Sequence, residues 1–334
     1  MRWFFVTSVL FLFVACSSNS GDGAPSDETD EPNDETEVTL DAVDIVSFEA
    51  ADNASTDEDA DAFHGVDEDL EATSLDMDDI EIVNPDEDTV NTGPCTVLFG
   101  LPNEKTGLTA EQCQPQCNCE GKFFQPPIYT EEDIVKLLAL VPVNPPAEVT
   151  ENPYEHPEEH QPIPGAVCGL LLDESVPNGY RLETFASDTA AIAAGAFITH
   201  WDGCGVCSTL TNLVVYMQNP DLTDPVRQCG INNLGNKEGN ITCLQELGFD
   251  LPCAQIWYYN TLNTQKECFS VCMAALNEPY HNPDGTLNDC LLCDEEKSGA
   301  VFKAVAGRTR RNTGLPSSMC RPCSEVQPIY HYYW

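Results

Sequence analysis

Two thiols three residues apart, Cys204 and Cys207, close the run His200-Trp201-Asp202-Gly203-Cys204-Gly205-Val206-Cys207, with an imidazole four residues ahead of the first. That set offers three chemistries. As a dithiol at a helix start it would cycle between thiolate and disulfide, because the helix dipole lowers a thiol's pKa. With Cys207 as nucleophile and His200 or His281 as base it would transfer acyl groups. His200 and Cys204 together would suit a soft metal. The competing reading is structural. Asp202 would raise a neighbouring thiol's pKa rather than lower it. The spacing also recurs at Cys290/Cys293 and Cys320/Cys323, so it is common in this chain.

Four guanidiniums form the second candidate site. Arg308, Arg310, Arg311 and Arg321, with Lys297 and Lys303 nearby, make the one basic cluster of an otherwise acidic chain. Together they would clamp a carboxylate, sulfate or phosphate. Pairing with Asp294, Glu295, Glu296 and Glu325, or with the acidic stretch upstream, is the plainer alternative. His156 and His160 lie four apart with carboxylates between them, which on a helix would make one metal-binding face. Seven prolines between Pro142 and Pro164 oppose any helix there, so an extended surface loop is expected. Asp57, Asp59, Asp61, Phe63, Gly65 and Glu68 fall at calcium-loop spacing. Ala62 stands where such a loop turns on glycine, and a solvated charge run explains the pattern as well. The aromatic stretch Tyr330-His331-Tyr332-Tyr333-Trp334 is expected to pack on the domain or to offer a stacking surface.

The elements that must position these groups begin after a leader. Arg2 and the apolar run Trp3–Val14 read as an export signal over residues 1–16. Phe13-Val14-Ala15-Cys16 resembles a bacterial lipoprotein signal, with Phe13 where leucine is usual. The resemblance implies lipidation of Cys16 and a membrane anchor; simple secretion is the alternative. No later run is apolar for long enough to span a bilayer. Residues 17–94 carry 27 Asp and Glu and no Lys or Arg, which predicts a disordered acidic linker. The formal charge of −42 argues against nucleic acid as a partner. Sixteen cysteines follow Cys16, all from Cys95 onward. An even set in an exported chain reads as a disulfide framework of undetermined connectivity.

Residues 95–146 are expected to be a small cysteine-rich segment, with Thr130 capping a helix over Glu131–Leu140. A Pro-rich connector would follow over 147–165, then a main domain over 166–334. Within that domain the pattern predicts strands at 167–172 and 180–185. It places an alanine-rich helix from Ser187 to Thr199, and further helices at 208–217, 243–248, 252–276 and 290–311. The fold class is therefore mainly α, disulfide-rich, a single domain with a few short strands behind the acidic tether.

The dithiol resembles the redox pair of thioredoxin-like proteins, which implies thiol–disulfide exchange. It is also similar to the papain-like cysteine motif, although Ser208 replaces the expected aromatic. The strings THWDGCGVCSTLTNLVVYM, DLTDPVRQCG, ELGFDLPCAQIWYYN, LNDCLLCDEEKSGAVFKAVAGRTRRNTGLPS and RPCSEV resemble a family of secreted cysteine-rich proteins of unknown activity. That likeness implies no cofactor and assigns no functional residue. The expected role is an envelope-tethered binding or structural protein with an unknown extracellular ligand. Thiol–disulfide exchange through Cys204 and Cys207 is the alternative, and metal binding near His200 a further one.

Overall fold

The structure is a computed structural model that describes residues 95–334. The export signal with Cys16, the acidic linker and the calcium-like pattern at Asp57–Glu68 lie outside the described residues.

Short strands open the described part: β1 Leu98–Phe99, β2 Cys113–Gln114, β3 Cys117–Cys119 and β4 Lys122–Phe124. Helix α1, Glu131–Ala139, follows a capping box in which Thr130 and Asp133 satisfy each other's backbone N–H groups. It buries Ile134 and Leu137. After β5, Val141–Pro142, the proline-rich connector leads into β6, Val167–Asp173, and β7, Gly179–Phe185. Helix α2, Asp188–Ala193, is capped by Ser187. It is shorter than its alanine content suggests. Gly195 takes a left-handed φ of +74° and reverses the chain, and Phe197-Ile198-Thr199-His200-Trp201 then forms β8. Three residues that suit a pleated, half-buried surface follow that glycine, and pairing with β6 overrides the helical continuation. The resulting sheet runs β5-β7-β6-β8 and is larger than the few strands expected.

Helix predominates from there on. The remaining helices are α3 Leu210–Gln218, α4 Thr223–Asn232, α5 Lys237–Glu246, α6 Leu251–Ala274, α7 Asp289–Lys297, α8 Gly299–Ala306 and the single turn α9 Arg310–Thr313; β9 is Arg321–Pro322. Helix α5 starts earlier than the sequence suggested, because Asn236 rather than Thr242 is its cap. The helix expected over 290–311 breaks at Ser298 and again at Gly307, whose φ of +73° no helix tolerates. The main core gathers Leu170 and Tyr180 from the sheet with Leu213, Leu244, Ile256 and Phe302 from the helices. Each such side chain contributes about 2 kcal/mol on leaving water. No helix among the described residues is long and apolar enough to cross a membrane.

Every cysteine among the described residues is in a disulfide. Cys268 and Cys272, one turn apart on α6, bridge Cys293 and Cys290 of α7. Half-buried Asp294 sits in the same seam, accepting from Thr264 and from Asn260 at 3.3 Å; desolvation pushes its carboxyl up. The first cysteine cluster does not close on itself. Cys95–Cys119 is local, but Cys113 and Cys117 reach Cys320 and Cys323 across separations of 207 and 206 residues. Strand β1 lies between β2 and β9, so hydrogen bonds repeat what the bridges do. Cys113, Cys117 and Cys119, three cysteines within seven residues, thus each enter a different bridge.

Loop length should set which bridge matters most. Closing 207 residues restricts the unfolded chain by about 2 kcal/mol more than closing the 14 of Cys229–Cys243. The double variant Cys113→Ser/Cys320→Ser should therefore lose more stability in guanidinium unfolding than Cys229→Ser/Cys243→Ser. The reverse order would show that strain or residual structure outweighs chain entropy.

Candidate functional site: the Cys204 loop and the adjoining cleft

Cys204 and Cys207 do not pair with each other. Cys204 bridges Cys168 of β6, and Cys207 bridges Cys253 of α6. Cys168, Cys207 and Cys253 are completely buried. The loop between β8 and α3 is thus pinned to the sheet on one side and to the longest helix on the other. Its glycine is required by contact: a Cβ on Gly205 would lie 2.3 Å from the Val305 carbonyl oxygen. That proximity lets Val206 and Cys207 donate to Val305 and Ala306 at 2.9 Å. The redox-dithiol expectation and the Cys207-nucleophile expectation are both corrected here, since neither sulfur is a thiol.

His200 is also fully engaged. Its Nδ1 donates to the Trp201 carbonyl at 2.7 Å, and its Nε2 accepts from the Ser208 hydroxyl at 2.7 Å. Ser208 Oγ in turn accepts from Gly205 N–H at 2.8 Å. A serine–imidazole pair is a nucleophile and base when substrate reaches it. Here both residues are wholly buried. Burial and the nearby Arg308 charge hold the His200 imidazolium form far below its ordinary pKa. The soft-metal expectation at His200 is corrected on the same ground, because no ring nitrogen is left over. His281, the other suggested base, lies against the leading segment. Its N–H donates to the Thr106 carbonyl and its Nδ1 to the Gly285 carbonyl.

The four arginines separate into two kinds. Arg308 is entirely buried and has no carboxylate partner among the described residues. Its guanidinium donates to Thr199 O at 3.0 Å, Thr199 Oγ1 at 2.7 Å, Ser208 O at 2.9 Å and Cys207 O at 3.3 Å. Arg310 lies over the Tyr216 ring and donates to the carbonyls of Tyr216, at 2.7 Å, and Asn219, closing the C-terminus of α3. Burial lowers its pKa to about 10. Both guanidiniums are engaged by protein acceptors, which leaves Arg311 and Arg321 of the expected four-arginine clamp. Arg311 and Arg321 share Glu295, and Arg311 also meets Glu325 at 2.9 Å. Burial would raise the Glu295 carboxyl, but Arg321 and Arg311 hold it below the usual range.

Arg311 and Glu325 border a cleft of about 170 Å³, walled also by Trp201, Asp202, Lys303 and Asn312. Asp202 takes a left-handed φ of +68° at its rim. Asn312 ties that rim to α9, its amide donating to the Trp201 carbonyl at 2.8 Å with Asp202 Oδ2 at 3.1 Å. Lys303, on α8, is half-buried. Among the described residues no acceptor lies within hydrogen-bond or ion-pair distance of its ammonium. Burial lowers its pKa, Arg311 adds repulsion, Glu295 and Asp202 attract it from beyond contact distance, and Arg321 contributes least. The sequence placed Lys303 in the basic cluster without distinguishing it, because nothing in one sequence shows which cations find partners inside the fold.

Residues 237–329 match a family of unknown function (DUF8771). No curated protein and no solved structure matches the chain. The matched stretch is similar to that family from α5 to the end of the arginine cluster. It carries Lys303 and all four arginines but leaves out β6, β8 and the Cys204 loop.

The last residues alternate. Ile329, His331 and Tyr333 are buried, while Tyr330, Tyr332 and Trp334 face outward. His331 Nε2 donates to the Thr313 carbonyl at 2.9 Å, so neutral His331 accepts at Nδ1 from Tyr333, 2.7 Å away. Tyr333 is also 2.9 Å from Thr199 Oγ1, which joins the stretch to Arg308. Neither His331 nor Tyr333 stood out in the sequence as part of a network.

Burial lowers the His331 pKa from 6.5 to about 3. Below pH 6.5 the unfolded chain therefore binds a proton that the fold refuses. This contribution to stability is complete above about pH 6.5 and falls with pH by up to about 1.4 kcal/mol per unit. His331→Gln should flatten the decline between about pH 6.5 and 5.5 relative to wild type, while lowering stability near neutrality. An unchanged slope in urea unfolding would show that His331 is already charged in the fold.

Proposed function

We propose that the chain is an exported, membrane-tethered binding protein whose cleft takes a small ligand through a carboxylate group. Export is supported by the signal-like leader and by sixteen cysteines in eight bridges, which persist in oxidising compartments. Tethering rests on the lipoprotein-like Cys16. Thiol–disulfide exchange loses its support, because both sulfurs of the dithiol are engaged elsewhere.

One observation carries the binding reading: a half-buried ammonium with no hydrogen-bond or ion-pair contact among the described residues lines a polar cleft. A desolvated charge without a partner costs free energy, and a bound anion would recover it. Arg311 on the same wall, held in place by Glu295 and Glu325, adds fixed positive charge, and the carboxylates of Asp202 and Glu325 would repel a multiply charged anion. A single carboxylate suits this balance better than phosphate or sulfate.

Titration of the full chain with acetate, lactate and glycine, against sulfate and phosphate, tests the ligand class by thermal shift and calorimetry. The carboxylates should bind and Lys303→Met should abolish binding. Without ligand the variant should remain folded and be no less stable, since methionine keeps the apolar stem and removes the unpaired charge. Equal affinity in Lys303→Met, or no response to any carboxylate, would refute the reading.

A further inference from the structure

The proline-rich connector is not the extended loop that its composition suggested. It folds into two short 3-10 turns, Pro153–Glu155 and Pro157–Glu159, each opened by a proline whose fixed φ suits the first position. The first turn is anchored from below. Pro153 is buried, and the Tyr154 hydroxyl donates to Asn260 Oδ1 of α6 at 2.8 Å. The second turn is held by local hydrogen bonds. Glu159 N–H donates to His156 O at 3.1 Å, and Gln161 Nε2 donates to Pro157 O at 2.8 Å.

This geometry brings together a different set from the helical pair His156 and His160. The imidazole of His156 and the carboxylates of Glu158 and Glu159 present ligand atoms that all lie within 4.8 Å of one another. His156 Nδ1 is 3.7 Å from Glu158 Oε1. His160 does not belong to the group. The chain carries 56 acidic residues, yet among the described residues only one other triple of potential ligands converges. That one is Cys95, Cys119 and Cys323, whose sulfurs are all in bridges.

We propose that His156, Glu158 and Glu159 form a zinc site, independent of the cleft. One imidazole nitrogen and two carboxylate oxygens suit zinc, whereas calcium and magnesium take all-oxygen sets. Bond lengths of about 2.0–2.2 Å put the ligand atoms of tetrahedral zinc roughly 3.3 Å apart. The three side chains are exposed, so closing from within 4.8 Å to that spacing requires rotation about their own bonds and no displacement of packed neighbours. Solvent supplies the remaining coordination, so the site is a surface one with a position open to a further donor.

The test uses the full-length, disulfide-intact chain titrated with zinc chloride in millimolar calcium, which occupies the acidic residues non-selectively. One saturable zinc site is expected. His156→Ala should weaken it by about tenfold or more, since even changes outside the direct ligands reach that size. Glu158→Gln should also weaken it, while His160→Ala and Lys303→Met should not. Cobalt substitution should give the visible absorption of a four- or five-coordinate ion in the wild type and not in His156→Ala. Absence of a saturable site, retained affinity in His156→Ala, or an equal loss in His160→Ala would each overturn the assignment. Circular dichroism confirms that the variants are folded.

Discussion

A wholly buried guanidinium without a carboxylate partner is the constraint on which this structure turns. Removing Arg308 from water is unfavourable unless oriented dipoles replace the solvent. Four protein acceptors do so, and they come from two places: Thr199 on β8, and the Cys207 and Ser208 carbonyls in the loop that follows. None of them can move alone without exposing the charge to an empty acceptor position. Arg308 thus fixes the strand, the loop and the α8–α9 corner relative to one another. Through Thr199 and Tyr333 it also fixes the aromatic end of the chain. Burial holds the two histidines beside it neutral, and repulsion from the Arg308 charge adds to that effect.

The disulfides act on the same loop from outside. Cys168–Cys204 and Cys207–Cys253 hold the acceptors of Arg308 between the sheet and α6. A covalent clamp restricts the unfolded ensemble, whereas the guanidinium selects one arrangement within the folded one. The two cooperate, since oxidation of the wrong cysteine pair would leave Thr199, Cys207 and Ser208 misplaced for Arg308. The long bridges to Cys320 and Cys323 extend this logic to the whole described chain by tying its first strands to its last.

Where local chemistry decides, the sequence could be read. Thr130 and Asp133 cap α1, and the two short strand-like runs at 167–172 and 180–185 pair as the β6–β7 hairpin. Pro252 opens α6, on which Cys268 and Cys272 share a face. Where partners are distant, it could not. Nothing near Phe197 announces that β6 will recruit it away from a helix. The Cys204/Cys207 spacing implies a pair, but connectivity depends on which sulfurs the fold brings together. Arg308 and Arg311 look alike in the sequence, and only packing sends one inward to carbonyls and the other to Glu295 and Glu325. The basic cluster was legible as a place and illegible as a set of roles.

That difference of roles separates the groups the fold has used from the one it has left over. Arg308 has four acceptors, Arg310 closes a helix, and Arg311 and Arg321 are neutralised by glutamates. Their charges contribute to the fold, and removing any of them would strand a partner. Lys303 has no such contact among the described residues, and the more distant attraction of Glu295 and Asp202 does not restore its ordinary pKa. A fold that satisfies its other neighbouring cations so completely, and leaves one ammonium half-buried on the wall of a polar cleft, is less stable there than it needs to be. Methionine or leucine at that position would pack as well without the penalty. The free energy forgone at Lys303 is therefore the strongest physical argument that the cleft, rather than the fold, has a use for this charge.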